Sequence, residues 1–193
     1  MRRLQFPALV LVISFWIVPV AFATTVREMA LKDLVSMAPS IVVGTVESST
    51  SRWNEDQTLI VTDVRIRVTD VIKGQNAGEI VITQPGGRVG KMRVDVDGAV
   101  AYRPGQETVL FLAPDARGRQ QVLGLFRGRF DVATDARTGM KTVQGLKAAD
   151  FAEMHAAKPG LITEESAPAL PAMALGDFLT GIRGMVQNPK GGR

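Results

Sequence analysis

The feature that most constrains this chain is a change of hydrophobic period. Over residues 26–38 the apolar positions Val26, Ala30, Leu34 and Met37 recur at helical spacing. Glu28 and Lys32 stand four apart on one face, and Pro39 ends the run. From residue 41 the period is two. Ile41-Val42-Val43-Gly44-Thr45-Val46 reads as a strand, and residues 58–72 as a long one. In the latter, Ile60, Thr62, Val64, Ile66, Val68 and Asp70 share one parity, while Val61, Asp63, Arg65, Arg67 and Thr69 share the other. One side is apolar up to Asp70 and the other polar after Val61, the pattern of an antiparallel strand with one face in a core and one in water. A strand of that length predicts coiling around a barrel, with a bulge.

Further strands are expected at residues 79–83, 89–96, 108–112, 121–125 and 129–133. Turn signals separate them at Lys73-Gly74, Pro85-Gly86-Gly87, Pro104-Gly105 and 114–118. Residues 47–57 are polar and hold Trp53-Asn54-Glu55-Asp56, which reads as a turn. The tail has a different character. Residues 148–157 read as a short helix, and 158–172, rich in Pro, Ala, Ser and Glu, as a linker or strap. Leu175, Phe178, Leu179, Ile182 and Met185 then predict an amphipathic helix over 173–186. Gly176, Gly181 and Gly184 each weaken it by up to ~1 kcal/mol relative to alanine, so it needs a surface to dock on.

The first 23 residues have the secretory pattern: a basic end at Arg2 and Arg3, an apolar run over 8–18, and Ala21-Phe22-Ala23 ahead of the expected cut. The run is short for a bilayer span of ~20 residues, the alternative being an uncleaved anchor. Cleavage predicts a mature chain that starts at Thr24, exported to a periplasm or the medium. Without Arg2 and Arg3, the 23 basic residues become 21 against 19 acidic, a net charge of +2. That balance argues against a nucleic-acid binder. The chain has no cysteine, which excludes thiolate metal sites, a cysteine nucleophile and a lipidated cysteine anchor. A core from about 170 residues needs no disulfide.

The catalytic inventory is thin. His155 is the single histidine and lies in the tail, and the serines have no G-x-S-x-G context. It reads as a surface histidine on a helix, the alternative being a catalytic base, and one histidine without cysteine argues against a zinc site of the usual type. Asp95 and Asp97 share a strand face, which reads either as a weak calcium pair or as a solvated strand end. The stretch 84–91 lacks a phosphate-loop pattern and reads as a hairpin-like turn, yet Gly86, Gly87, Arg88 and Lys91 make it a reasonable binding lip. Arg117, Arg119, Arg127 and Arg129 form a basic region; Arg127 and Arg129 on one face would suit an acidic partner. Trp53 is either a partner contact or a side chain folded back to cap the barrel.

Three pieces carry a resemblance: Ala38-Pro39-Ser40-Ile41-Val42-Val43-Gly44-Thr45-Val46; residues 64–71 closing on Ile72-Lys73-Gly74; and Pro104-Gly105-Gln106-Glu107-Thr108-Val109-Leu110-Phe111-Leu112. Their order, over residues 38–133, is similar to that of the netrin-like, tissue-inhibitor-of-metalloproteinase superfamily of OB barrels. It also resembles a broad group of exported bacterial proteins. The resemblance implies an OB-like antiparallel barrel. With the helical periods above, the expected chain is mainly β: a barrel domain over residues 24–147 that includes the N-terminal helix, and an extension over 148–193 ending in a docked helix. In the animal inhibitors an N-terminal cysteine places its amine and carbonyl on the protease zinc, on a ridge fixed by disulfides. Here Thr24 stands at that end, so its amine could reach a metal without the clamp.

The expected function is an exported, non-enzymatic binding module for a protein or cell-envelope component, with no cofactor, resident metal or nucleic acid. Its surface is expected around Trp53, Gly86, Gly87, Arg88, Lys91, Asp95 and Asp97, with Arg127, Arg129 and Thr24 as further candidates. Three alternatives stand beside it: a protease inhibitor; a structural envelope or matrix protein self-associating through Leu175, Phe178, Leu179 and Ile182; and an enzyme using clustered Asp95, Asp97 and Asp115.

Overall fold

The runs around Ile41 and Phe111 are apolar on both parities, and the strands they form are buried on both faces. The computed structural model describes residues 30–75, 78–96, 99–145 and 172–188. The expected leader, Thr24, Asp97, His155, the helix over 148–157 and nearly all of the linker lie outside them. β1 (Ser40–Trp53) runs antiparallel to both β2 (Ile60–Lys73) and β6 (Glu107–Pro114). β2 pairs with β3 (Glu79–Pro85), β3 with β7 (Gln120–Val122), and β7 with β6. This closes a five-stranded barrel in the order β1-β2-β3-β7-β6. Only the β3–β7 join is parallel, registered at Ile82 and Gln120. The barrel is OB-fold-like and flanked by helices.

Side-chain alternation then sorts two cores. Val42, Val46, Val64, Ile66, Ile80, Ile82, Leu110 and Leu112 fill the barrel around Tyr102. Ile41, Val43, Val109 and Phe111 point the other way, onto α1 (Leu31–Met37) and α2 (Leu175–Gln187). A strand covered on both faces must be apolar at successive positions. The outer core includes an aromatic row: Phe111 and Phe130 have ring centroids 5.5 Å apart, and Phe130 and Phe178 5.0 Å. Gly44 lets β1 press against β2. A Cβ there would stand 2.5 Å from Ile66 Cγ2 and 2.8 Å from the Arg67 carbonyl oxygen, beside a register shift that bends β1 between its two partners.

Beyond the barrel, β8 (Arg129–Thr134) pairs with the first half of β6, while β7 pairs with the second half. A 3₁₀ turn at Leu125–Gly128 separates β7 from β8. β9 (Lys141–Gly145) and β10 (Met173–Ala174) continue the sheet. A separate ribbon of β4 (Gly87–Val89) and β5 (Met92–Val94) occupies the connection between β3 and β6. Asp70, which breaks the apolar parity of β2, answers Arg183 of α2 at 2.5 Å. The Lys73 ammonium donates to the Val35 carbonyl, 2.7 Å away near the end of α1.

Several expectations need correction. The polar stretch expected over 47–57 divides: residues 48–53 continue β1, each paired with β2, and the turn begins only after Trp53, at Asn54-Glu55-Asp56. The single strand expected at 89–96 is a short hairpin turning at Gly90 and Lys91. β3 runs through Pro85, so the expected Pro-Gly-Gly turn is a junction between two strands. The strand expected at 121–125 stops at Val122, since Gly124 and Leu125 adopt left-handed backbone. β9 carried no strong sequence signal. Met173 and Ala174, expected inside the last helix, are a strand paired with β9. The last helix docks on this chain's own domain, as its spacing requires: Phe178 and Ile182 are buried, and Leu175 and Leu179, the face offered by the self-association alternative, pack against the same core. Met92, Met37 and Met140 are the most exposed large apolar side chains among the described residues. No helix among these residues is long and apolar enough to cross a membrane.

Candidate functional site

Above the apolar barrel interior, the inward parity turns polar. Ser51 pairs with Thr62 and Thr62 with Gln84, which sets one hydroxyl, another hydroxyl and an amide at one level across β1, β2 and β3. The Thr62 hydroxyl donates to the Gly86 carbonyl oxygen at 2.7 Å. Its single proton is thereby committed, so the 2.9 Å contact with Ser51 has Ser51 as donor. The Gln84 amide nitrogen donates to the Val100 carbonyl oxygen at 2.8 Å. These residues line an open cleft of about 380 Å³, walled on the far side by residues 86–88, 93–96 and 99–102. That volume falls within the ~300–1,000 Å³ of ordinary small-molecule sites, and barrel mouths are common places for them.

Gly86 and Gly87 bring the ribbon onto this wall. Both have positive φ, 91° and 130°, and a Cβ at Gly87 would collide with Ser51 Oγ and Thr62 Oγ1. The ribbon then presents its charges at the cleft. Arg88 and Arg93 are directly opposed in register and both line the cavity. Arg93 Nε donates to Asp95 at 2.7 Å and Arg88 Nε to the Gly90 carbonyl oxygen at 3.2 Å. Lys91 is exposed at the turn between the two strands. Gly86, Gly87, Arg88 and Asp95 therefore share one cleft, and Lys91 stands beside it.

The other sequence candidates lie elsewhere. Trp53 ends β1, half-buried and paired with Ile60. Arg127 sits in the 3₁₀ turn with its guanidinium 5.2 Å from the Phe126 ring centroid. Arg129 corrects its sequence reading: it is buried, 2 % exposed, and turned inward. It grips Asp131 through Nε at 2.7 Å and Nη2 at 3.0 Å, donates Nη1 to the Ala101 carbonyl oxygen, and stacks 4.2 Å from the Tyr102 ring centroid. Burial pushes the Tyr102 phenol up to about 12, against the opposing effect of Arg129. This cluster ties the wall of the cleft to β8. Its role is positional.

Asp95 and Asp115 answer different partners. Desolvation works to raise the Asp115 pKa, but hydrogen bonds from Arg119 and Arg117 and the Arg119 charge together hold it below the usual carboxylate range. Among the described residues no group of three or more His, Cys, Asp or Glu side chains is placed to hold a metal ion. The outer face of β1, β2 and β3 is self-neutralised: Arg52 pairs with Asp63 at 2.5 Å, Arg65 with Glu79, and Arg67 with Glu47 at 3.6 Å. Asp63 also holds the Arg52 guanidinium above its ordinary value by hydrogen bond and charge. An OB barrel that grips a nucleic-acid strand on this face needs unpaired cations and stacking aromatics.

Sequence reasoning missed Ser49, Ser51 and Thr62, and took Gln84 only as the start of the 84–91 lip. The available signal was Thr62, a polar residue between Ile60 and Val64 on the inward parity. No family model matches this chain, and no curated protein matches it.

Proposed function

We propose that this chain is an exported, non-enzymatic binding module of the netrin-like barrel group, which receives part of a protein or of a cell-envelope component at the mouth of its barrel. One observation carries the reading: the cleft where the Ser51–Thr62–Gln84 wall, the two glycines and the charged ribbon converge. Polar groups converging in a concavity, above a core that holds them in place, are the usual form of a binding site. The neutral outer face of β2 and β3 offers no comparable convergence. Export rests on the secretory pattern of residues 1–23, and mass spectrometry of the secreted chain should find Thr24 at its N-terminus.

Site-specific photo-crosslinking in the host envelope tests the reading. The crosslinker replaces Met92, exposed on the ribbon, or Val81, exposed on β3. A discrete adduct at position 92 and none at 81 is expected. Equal capture at both positions, adducts only between copies of the chain, or no adduct at either would overturn the reading.

A further inference from the structure

We infer that the cleft binds an acidic saccharide, with its carboxylate or phosphate bridging Arg88 and Arg93 and its hydroxyl groups meeting the wall formed by Ser51, Thr62 and Gln84. This rests on the reading of the cleft as a ligand site and adds the class of ligand.

The charge of that ligand follows from the ribbon. Arg88 and Arg93 face each other across two strands, and like charges directly opposed disfavour the pairing. Neither guanidinium is saturated. Each spends its Nε on a neighbour, and the terminal nitrogens of both donate no hydrogen bond among the described residues. Among the described residues only Asp95 pairs with either arginine, while Lys91 adds a further cation at the turn. An anion between two arginine forks would convert repulsion into two charge-assisted contacts, and carboxylate and phosphate match the fork geometry.

The hydroxyl groups of the ligand follow from the wall. Ser51 gives its proton to Thr62, and Thr62 gives its own to the Gly86 carbonyl. Ser51 Oγ is thus left with lone pairs only, and Gln84 Oε1 accepts no hydrogen bond among the described residues. These are acceptors, suited to O–H donors. An apolar ligand would strip their water and return nothing. A bare anion would leave them unused. Pro85, Val100 and Tyr102 add apolar surface to the same cavity, which suits the C–H face of a sugar ring.

The test titrates isotope-labelled protein with trigalacturonate, glucose 6-phosphate, maltotriose and inorganic phosphate, following the backbone amides of Gly86, Gly87 and Arg93. Trigalacturonate or glucose 6-phosphate should shift these amides saturably and bind roughly tenfold more tightly than maltotriose, because the arginine forks act only on the charged probes. Which of the two binds identifies the anion. The double variant Arg88→Ala/Arg93→Ala should lose that preference, whereas Arg65→Ala on the outer face should keep it. Maltotriose binding as tightly as the charged probes would overturn the acidic assignment. Inorganic phosphate binding as tightly would overturn the saccharide. No response to any probe overturns the inference, and an adduct still formed from position 92 in that protein leaves the binding-module reading standing.

Discussion

Up to Val46, β1 is hydrogen-bonded along both edges and buried on both faces. From Ser48 onward the same strand keeps β2 on one edge, no longer pairs with β6, and carries Ser, Thr and Arg instead of Ile and Val. The first half spends every position on packing. The second extends the barrel wall past its core, where polar side chains can face a cavity. A single strand thus serves as both foundation and lip, and substitutions in the two halves should differ in cost and in consequence.

The largest effect belongs to the foundation. Phe111→Ala removes a fully buried ring from the row that joins the barrel to α2, and should cost about 3–5 kcal/mol in urea denaturation. Should Phe111→Ala prove no more costly than Thr62→Val, the division of β1 into packed and functional halves would be wrong.

Next comes the cluster that fixes the cleft to β8. Arg129→Met leaves Asp131 without its bidentate partner. Breaking a fully buried pair costs about 3–5 kcal/mol, and the partial exposure of Asp131 should reduce this to about 2–3 kcal/mol. The same cluster has a pH signature. Tyr102 is the single tyrosine, so phenolate absorbance reads one site. Its folded pKa is raised to about 12, above an unfolded value of about 10. Its contribution to stability is full below the unfolded value and is lost as pH rises through the folded one. Alkaline titration should therefore show one phenolate appearing near pH 12, together with loosening of the fold. A midpoint at the unfolded value would mean that Tyr102 is not packed beneath the cleft.

The two halves were not equally legible in the sequence. The foundation was readable because burial on two faces leaves a continuous apolar run, as at Ile41-Val42-Val43, and burial on one face leaves alternation, as in β2. Burial of Phe178 and Ile182 likewise followed from helical spacing. The lip was hidden. Ser49 and Ser51 look like loop residues, since a polar inward position and a solvated one have the same composition. Register alone sets Thr62 between Ser51 and Gln84, and register is a property of strand pairing that no single segment contains. Arg129 failed for a related reason. An arginine among others at the start of a strand reads as an exposed cation unless the sheet that covers it is known.

The smallest effects separate two hydroxyls within the lip. Thr62→Val deletes the donor to the Gly86 carbonyl and leaves a buried acceptor without that hydroxyl, which should cost about 1–2 kcal/mol. Ser51→Ala removes a hydroxyl whose proton goes only to Thr62. Thr62 keeps its bond to Gly86, no buried donor is stranded, and water can enter from the open cleft, so the cost should stay near 0.5 kcal/mol. Ligand affinity should rank the pair differently. Ser51 contributes lone pairs to the cavity while Thr62 is committed on both sides, so Ser51→Ala should weaken binding of the acidic saccharide by at least as large a factor as Thr62→Val. Equal urea midpoints for the two variants would mean that the proton order Ser51 to Thr62 to Gly86 is not the one the protein uses, and the lip would lose the acceptor character assigned to it.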